Sequence, residues 1–255
     1  MSMSIAVAGK GGTGKSTIAA LVIERLRSGG KTPVLAVDAD PDCNLATLLG
    51  TEPGETVGNL RDEMLKTIKD FPAGMTKADY IEAGLTQIIE EESGYDLITM
   101  GKGEGASCYC YINNLIRKFC DDLTPSYPWV VIDNEAGLEH LSRRTTTDIN
   151  ALLVVVNESP LSFSCARQIK EIVSGMNGRI EHTYVVTSMV RPERLDEVHR
   201  RIEEMGMEFL ADIPKDPAIE DIVFDGAPMG NLKSDAVLSA IDGIIEHIGG
   251  NNATT

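Results

Sequence analysis

The residues most able to do chemistry lie near the start of the chain, in the run Gly9-Lys10-Gly11-Gly12-Thr13-Gly14-Lys15-Ser16-Thr17. The run matches G-x-x-x-x-G-K-[ST], the pattern of a phosphate-binding loop. Without Cβ atoms at positions 9, 11, 12 and 14, successive backbone N–H groups can face one concavity and hold an anion there. A helix opening behind the loop adds its unpaired N-terminal donors. Lys15 then reaches the β- and γ-phosphates as a point charge, and the Ser16 hydroxyl holds Mg²⁺. A nucleoside triphosphate is the expected ligand.

Two carboxylate groups fit the same chemistry. Asp38-Ala39-Asp40-Pro41-Asp42-Cys43-Asn44 follows an apolar run, so its acids fall at the carboxyl end of a strand, where ligands bind in parallel sheets. Asp38 is expected to join the Mg²⁺ shell through water, Asp40 to orient the attacking water, and Asp42 to cap the helix that starts at Leu45. Trp129-Val130-Val131-Ile132-Asp133 ends in a second acid, expected to hold a Mg²⁺-bound water. Asn134-Glu135-Ala136-Gly137 then supplies the glycine that a γ-phosphate-sensing switch needs, and His140 beyond it reads as helix surface or as a ligand.

Cysteines form a third set. Cys108 and Cys110 stand one residue apart in Gly101-Lys102-Gly103-Glu104-Gly105-Ala106-Ser107-Cys108-Tyr109-Cys110, a glycine-loosened loop ahead of a helix expected from about Tyr111 to Phe119. There the two thiols can converge on a soft metal, Ni²⁺ or Zn²⁺, or serve as small apolar residues. A closed thiolate site takes about four ligands. Either Cys120 joins them, or a two-fold homodimer supplies the second pair.

These groups need elements to position them. Met3 to Ala8 reads as a buried strand running into the glycine loop, and the periodic residues Ile18, Leu21, Val22 and Leu26 read as the helix behind it, ending at Ser28-Gly29-Gly30. Further strands are expected at 34–37, 95–100, 129–133, 151–156, 184–187 and 209–211, with helical sequence between most of them. That alternation implies an α/β fold, a mainly parallel central sheet with helices on both faces. Helices are expected near 57–68 and 77–89, with Glu90-Glu91-Glu92 as a solvated helix end. A helix with Phe163, Ile169, Ile172 and Val173 on its apolar face and Cys165 in the core follows the strand at 151–156. A last helix, 234–248, buries Val237, Leu238, Ile241, Ile244, Ile245 and Ile248 and exposes Asp235, Asp242 and Glu246.

Composition narrows the partners. At 255 residues with 42% apolar and 24% charged side chains, the chain suits one domain, 1–255, with a large core. A net charge of −16 is the wrong sign for nucleic acid, and the acidic outer face of the last helix is the wrong sign for a membrane surface. The apolar runs are too short to span a bilayer, and the N-terminus lacks a leader pattern, so a cytoplasmic protein is expected. Five cysteines, an odd number, argue against a disulfide framework.

With its second lysine at Lys10, GKGGTGKST resembles the deviant phosphate loop of the MinD/ParA/nitrogenase iron protein group of dimerising ATPases. DADPDCN and VVIDNEAG resemble that group's two switch regions. The resemblance implies ATP as the nucleotide, Lys10 crossing a homodimer interface to the partner's phosphates, Asp40 positioning water and Asp133 holding Mg²⁺ through water. Within the group, the Cys108-Tyr109-Cys110 pair ahead of VVIDNEAGLEHLSRRT resembles the CooC-type ATPases and their AcsF relatives, which assist nickel insertion into carbon monoxide dehydrogenase and acetyl-CoA synthase. An iron–sulfur scaffold or carrier of the same group is the alternative. One departure is Thr187-Ser188, where relatives often carry an adenine-reading asparagine. Backbone contacts from Ile213, Pro214 and Asp216 are expected to take over that role.

Overall fold

The computed structural model describes residues 2–67, 76–101, 118–119, 121–135, 149–176 and 179–251. Its elements are β1 (Met3–Gly9), α1 (Lys15–Ser28), β2 (Val34–Ala39), α2 (Leu45–Leu49), α3 (Val57–Thr67), α4 (Lys77–Gln87), β3 (Glu90–Glu92) and β4 (Tyr95–Thr99). They continue with β5 (Trp129–Asn134), β6 (Ile149–Val156), α5 (Pro160–Ser174), β7 (Ile180–Ser188), α6 (Leu195–Glu204), β8 (Glu208–Ile213), α7 (Pro217–Asp225) and α8 (Asp235–Asn251).

The central strands are continuous apolar runs because both their faces are covered. Successive side chains alternate sides. Ile5, Val7, Val131, Leu153 and Val155 pack with α1 and α8, whereas Ala6, Ala8, Ile132, Leu152 and Val154 pack with the helix layer that includes α5 and α6. The eight strands run in the order β3-β4-β2-β5-β1-β6-β7-β8. Every neighbouring pair is parallel except β3 with β4. β1 therefore lies inside the sheet, between β5 and β6. The loop that follows it is flanked by the carboxyl ends of both neighbours, and Asp38 and Asp133 come level across β2 and β5.

Three expectations change. Glu90–Glu92 is not a helix end: Gly94, at φ 94°, turns the chain back so that these residues pair antiparallel with 95–97 as the edge strand. Three charges on an edge strand keep it from templating other chains, and that pairing outweighs the preference of glutamate for helix. Asp242 is half-buried rather than exposed, because its carboxylate takes a two-pronged contact from Arg25 at 2.8 and 2.6 Å, tying α8 to α1. Ile172 is partly exposed on α5, beyond the reach of the core that Phe163 and Ile169 enter.

Candidate nucleotide site

The glycine loop is held in shape by its own residues. The Thr13 backbone N–H and hydroxyl both donate to the Lys10 carbonyl, at 3.3 and 2.8 Å, and the Thr13 side chain is buried. Gly9 sits at φ 144° against β6, where a Cβ would lie 2.5 Å from the Val155 carbonyl oxygen. No other residue fits there. By contrast, a Cβ at Gly11 or Gly12 would meet nothing within 4 Å, so the absent side chains leave an open cradle. Gly14, left-handed at φ 86°, is the N-cap of α1 and contributes no capping side chain. The first N–H groups of that helix are therefore available to an anion.

Lys15 is buried at 5% exposure, and behind it stand the carboxylates of β2 and β5. Asp133 is fully buried, and among the described residues neither of its carboxylate oxygens has a hydrogen-bond partner. Burial pushes its carboxyl up to about 7. Asp38 adds to the shift, while the Ser16 hydroxyl, short of a formed hydrogen bond, and the Lys15 charge work against it. A buried carboxylate left without donors beside a serine hydroxyl and an open phosphate cradle is what a Mg²⁺ site of few protein ligands requires, since this ion keeps its waters and is held largely by phosphates. The residues present fit Mg²⁺, with Ser16 and Asp133 as the groups that would hold it or its water.

Asp38 is engaged by the backbone that follows it. Its Oδ1 accepts the Asp40 N–H at 3.1 Å and its Oδ2 accepts the Leu45 N–H at 3.0 Å. Asp38, not Asp42, is the acid that closes the start of α2. Strand β2 places it under the helix, whereas the Asp42 side chain makes no such bond. Burial raises the Asp38 carboxyl to about 6 in spite of those two donors. Asp40 lies on the loop, its Oδ1 accepting the Asp42 N–H at 3.0 Å.

An open cavity of about 440 Å³ continues from the cradle. Gly11, Gly12, Gly14, Lys15, Ser16 and Thr17 line one side of it and Asp40 and Asp42 another. Its remaining wall comes from Thr47 and Leu48 of α2 and from Val223, Gly226 and Ala227 at the end of α7. Those wall residues carry no motif, and nothing in their spacing marks them. Ile213, Pro214 and Asp216 do not line this cavity. Ile213 is buried in the core, and Asp216 caps α7, accepting from Ala218 N–H at 2.8 Å and from the Ser234 hydroxyl at 2.5 Å. The Thr187 hydroxyl is likewise committed, donating to Asp212. Ser188 lies beside Gly14, its hydroxyl 3.2 Å from where a Cβ would stand.

Cys108, Cys110, Cys120, Gly137 and His140 lie outside the described residues. Among the described residues no cluster of three or more His, Cys, Asp and Glu side chains could hold a metal ion, and no helix is long and apolar enough to cross a membrane. Cys43 and Cys165 are half-buried.

A parallel sheet with a glycine cradle at the end of an interior strand, a buried lysine and an unpartnered acid on the neighbouring strand define a P-loop nucleotide-binding protein. The chain belongs to the CbiA family, the CobQ/CobB/MinD/ParA nucleotide binding domain, whose profile matches residues 4–229, and is an ATPase of the MinD/ParA group. It is 39% identical to an uncharacterized ATP-binding protein of Methanocaldococcus jannaschii over 96% of this chain and 98% of that one. It is 29% identical to the carbon monoxide dehydrogenase accessory protein CooC of Rhodospirillum rubrum over 97% of this chain and 98% of that one. Among solved structures, a ParA family ATPase from Chlorobium tepidum superimposes with a TM-score of 0.74 at 17% identity, over 97% of this chain and all of the other.

Proposed function

We propose that the protein is an ATP-dependent metallochaperone that assists nickel insertion into carbon monoxide dehydrogenase or acetyl-CoA synthase. The observation that carries this reading is the hydrogen bond that ties Met100, eight residues ahead of Cys108 in sequence, to Asp38 at the nucleotide site. The Met100 N–H donates to the Asp38 carbonyl at 2.8 Å. Asp38 in turn holds Asp40 and the start of α2. Asp40 is thus two hydrogen bonds from Met100. The full-length similarity to CooC supports the choice of client.

In this reading Lys15 and the loop N–H groups bind the ATP phosphates, and Mg²⁺, when bound, offsets charge on the β- and γ-oxygens. Asp40 orients the attacking water. Lys10, on the loop's rim, reaches the nucleotide of a second copy, so ATP favours the homodimer. Cys108 and Cys110 of both copies then take one Ni²⁺ or Zn²⁺ as cargo, and hydrolysis lets it go. Since the thiols must deprotonate, uptake weakens as pH falls.

Metal analysis and sedimentation of anaerobically purified protein, with and without Mg·ATP, test this. One metal per dimer is expected, lost in Cys110→Ser and retained in Cys165→Ser. One metal per monomer that survives Cys110→Ser sinks the shared site and the nickel role with it.

A further inference from the structure

The C-terminal turn of α7 breaks three local rules at once. Phe224 is 91% exposed and Val223 beside it 52%, two large apolar side chains that leave the core to their neighbours Ile219 and Ile222. Asp221 and Asp225 are both exposed and stand four residues apart on the same face, a like-charge spacing that opposes the helix. Asp225 is also the last residue of α7, where the helix dipole favours a cation, and the last turn carries no basic residue. Glu220 is compensated by Lys215 at 3.1 Å. Asp221 and Asp225 have no ion pair among the described residues. The turn is otherwise firmly made. Gly226, left-handed at φ 64°, closes the helix, with its own N–H and that of Ala227 donating to the Val223 and Ile222 carbonyls.

Apolar exposure and uncompensated like charge on a well-formed turn are unfavourable in the free protein, and one kind of contact relieves both. We infer that the end of α7, Val223 and Phe224 flanked by Asp221 and Asp225, is the docking surface for a protein partner that offers an apolar pocket rimmed by lysine or arginine. The charges exclude other occupants. A second copy bringing the same patch across a two-fold axis sets four carboxylates against one another, and phosphate backbones and anionic bilayers carry the repelled sign. Position links the surface to the nucleotide. Val223 lines the nucleotide cavity along with Gly226 and Ala227. Pro228, just beyond, packs on the end of α2 so closely that a Cβ at Gly50 would lie 2.8 Å from it.

The assignment rests on the client reading proposed above, and one experiment separates the two. Metal-free carbon monoxide dehydrogenase is titrated by biolayer interferometry at low and high salt against the wild type, Phe224→Ser and the double variant Asp221→Lys/Asp225→Lys. Phe224→Ser is expected to weaken binding at least about tenfold and the double variant more, with the salt dependence reversed in the double variant. ATP turnover and the ATP-dependent mass in solution should stay unchanged, and the double variant should melt no lower than wild type, because lysine suits the end of a helix. Equal binding by all three proteins overturns the docking surface and leaves the client reading standing. Loss of the ATP-dependent dimer in Phe224→Ser makes the patch a contact between copies and overturns it too. A wild type that does not bind the enzyme overturns the client reading and the docking surface together.

Discussion

Replacing Asp133 by asparagine should reverse the order of stability between wild type and variant as pH rises, in protein freed of nucleotide and Mg²⁺. The carboxyl titrates near 4 in an unfolded chain and at about 7 in the folded one, where burial dominates. Between those values the folded state holds a proton that the unfolded state has lost, so stability falls as pH rises and is fully lost only above the folded value. At 1.36 kcal/mol per pH unit, the stretch from pH 5.5 to 7 amounts to about 2 kcal/mol, and ionising the group completely costs about 4 kcal/mol. Asparagine keeps the shape without the charge, at a penalty of about 1–3 kcal/mol for amide hydrogens left unpaired. The variant should therefore melt below wild type near pH 5 and above it near pH 8. The gap should change by roughly 5–10 °C across that range for a chain of this size. Calorimetric melts in EDTA across a pH series measure it directly. The Asp38 carboxyl, also raised, is present in both proteins, so the effect of its own burial cancels in the comparison. Parallel pH dependences in the two proteins would refute the claim that Asp133 lies buried without a partner and neutral before Mg²⁺ arrives.

Lys15→Ala should abolish ATP hydrolysis by removing the charge on the β- and γ-phosphates, whereas Asp40→Ala should leave ATP affinity within about tenfold and stop turnover; steady-state rates beside equilibrium titration separate them. Gly11→Ala should leave the melting temperature unchanged, because its Cβ meets nothing within 4 Å, yet weaken nucleotide binding by filling the cradle. Gly9→Ala should cost several kcal/mol of stability, since its Cβ would lie 2.5 Å from the Val155 carbonyl oxygen; thermal melts of the two variants tell these roles apart.

The sheet and the phosphate loop were legible because their signals are local. A buried strand, a glycine turn and a periodic helix follow one another within the first 28 residues, and each alone restricts the backbone. What the sequence hid was set by distant partners. Nothing near Glu90 announces that Gly94 will turn the chain so that it pairs with β4, and nothing near Asp242 announces Arg25, 217 residues away. The wall of the cavity was hidden for the same reason. Leu48 and Val223 are ordinary apolar positions in their own helices, and only the closure of α2 against the segment after α7 turns them toward one space.

Asp38 and Asp133 show why equal motifs did not predict equal roles. Both are acids at the carboxyl end of buried strands, level across β2 and β5 and wholly enclosed. Their fates differ by what the chain does next. After β2 it turns immediately into α2, whose first N–H groups need an acceptor, and Asp38 supplies one oxygen to Leu45 and the other to Asp40. Among the described residues after β5 no such donor reaches Asp133, and its oxygens are left bare beside Ser16. The first acid is thus occupied in shaping the loop that carries Asp40. The second is held at a cost to the free protein, which ligand binding recovers when a cation shares the pocket. An acid whose oxygens are already satisfied has little to gain from Mg²⁺, so the division of labour follows from hydrogen-bond supply rather than from residue type. On the proposed function, Asp133 on β5 would be the carboxylate linked to Mg²⁺, and Asp38 on β2 would anchor the loop that carries Asp40.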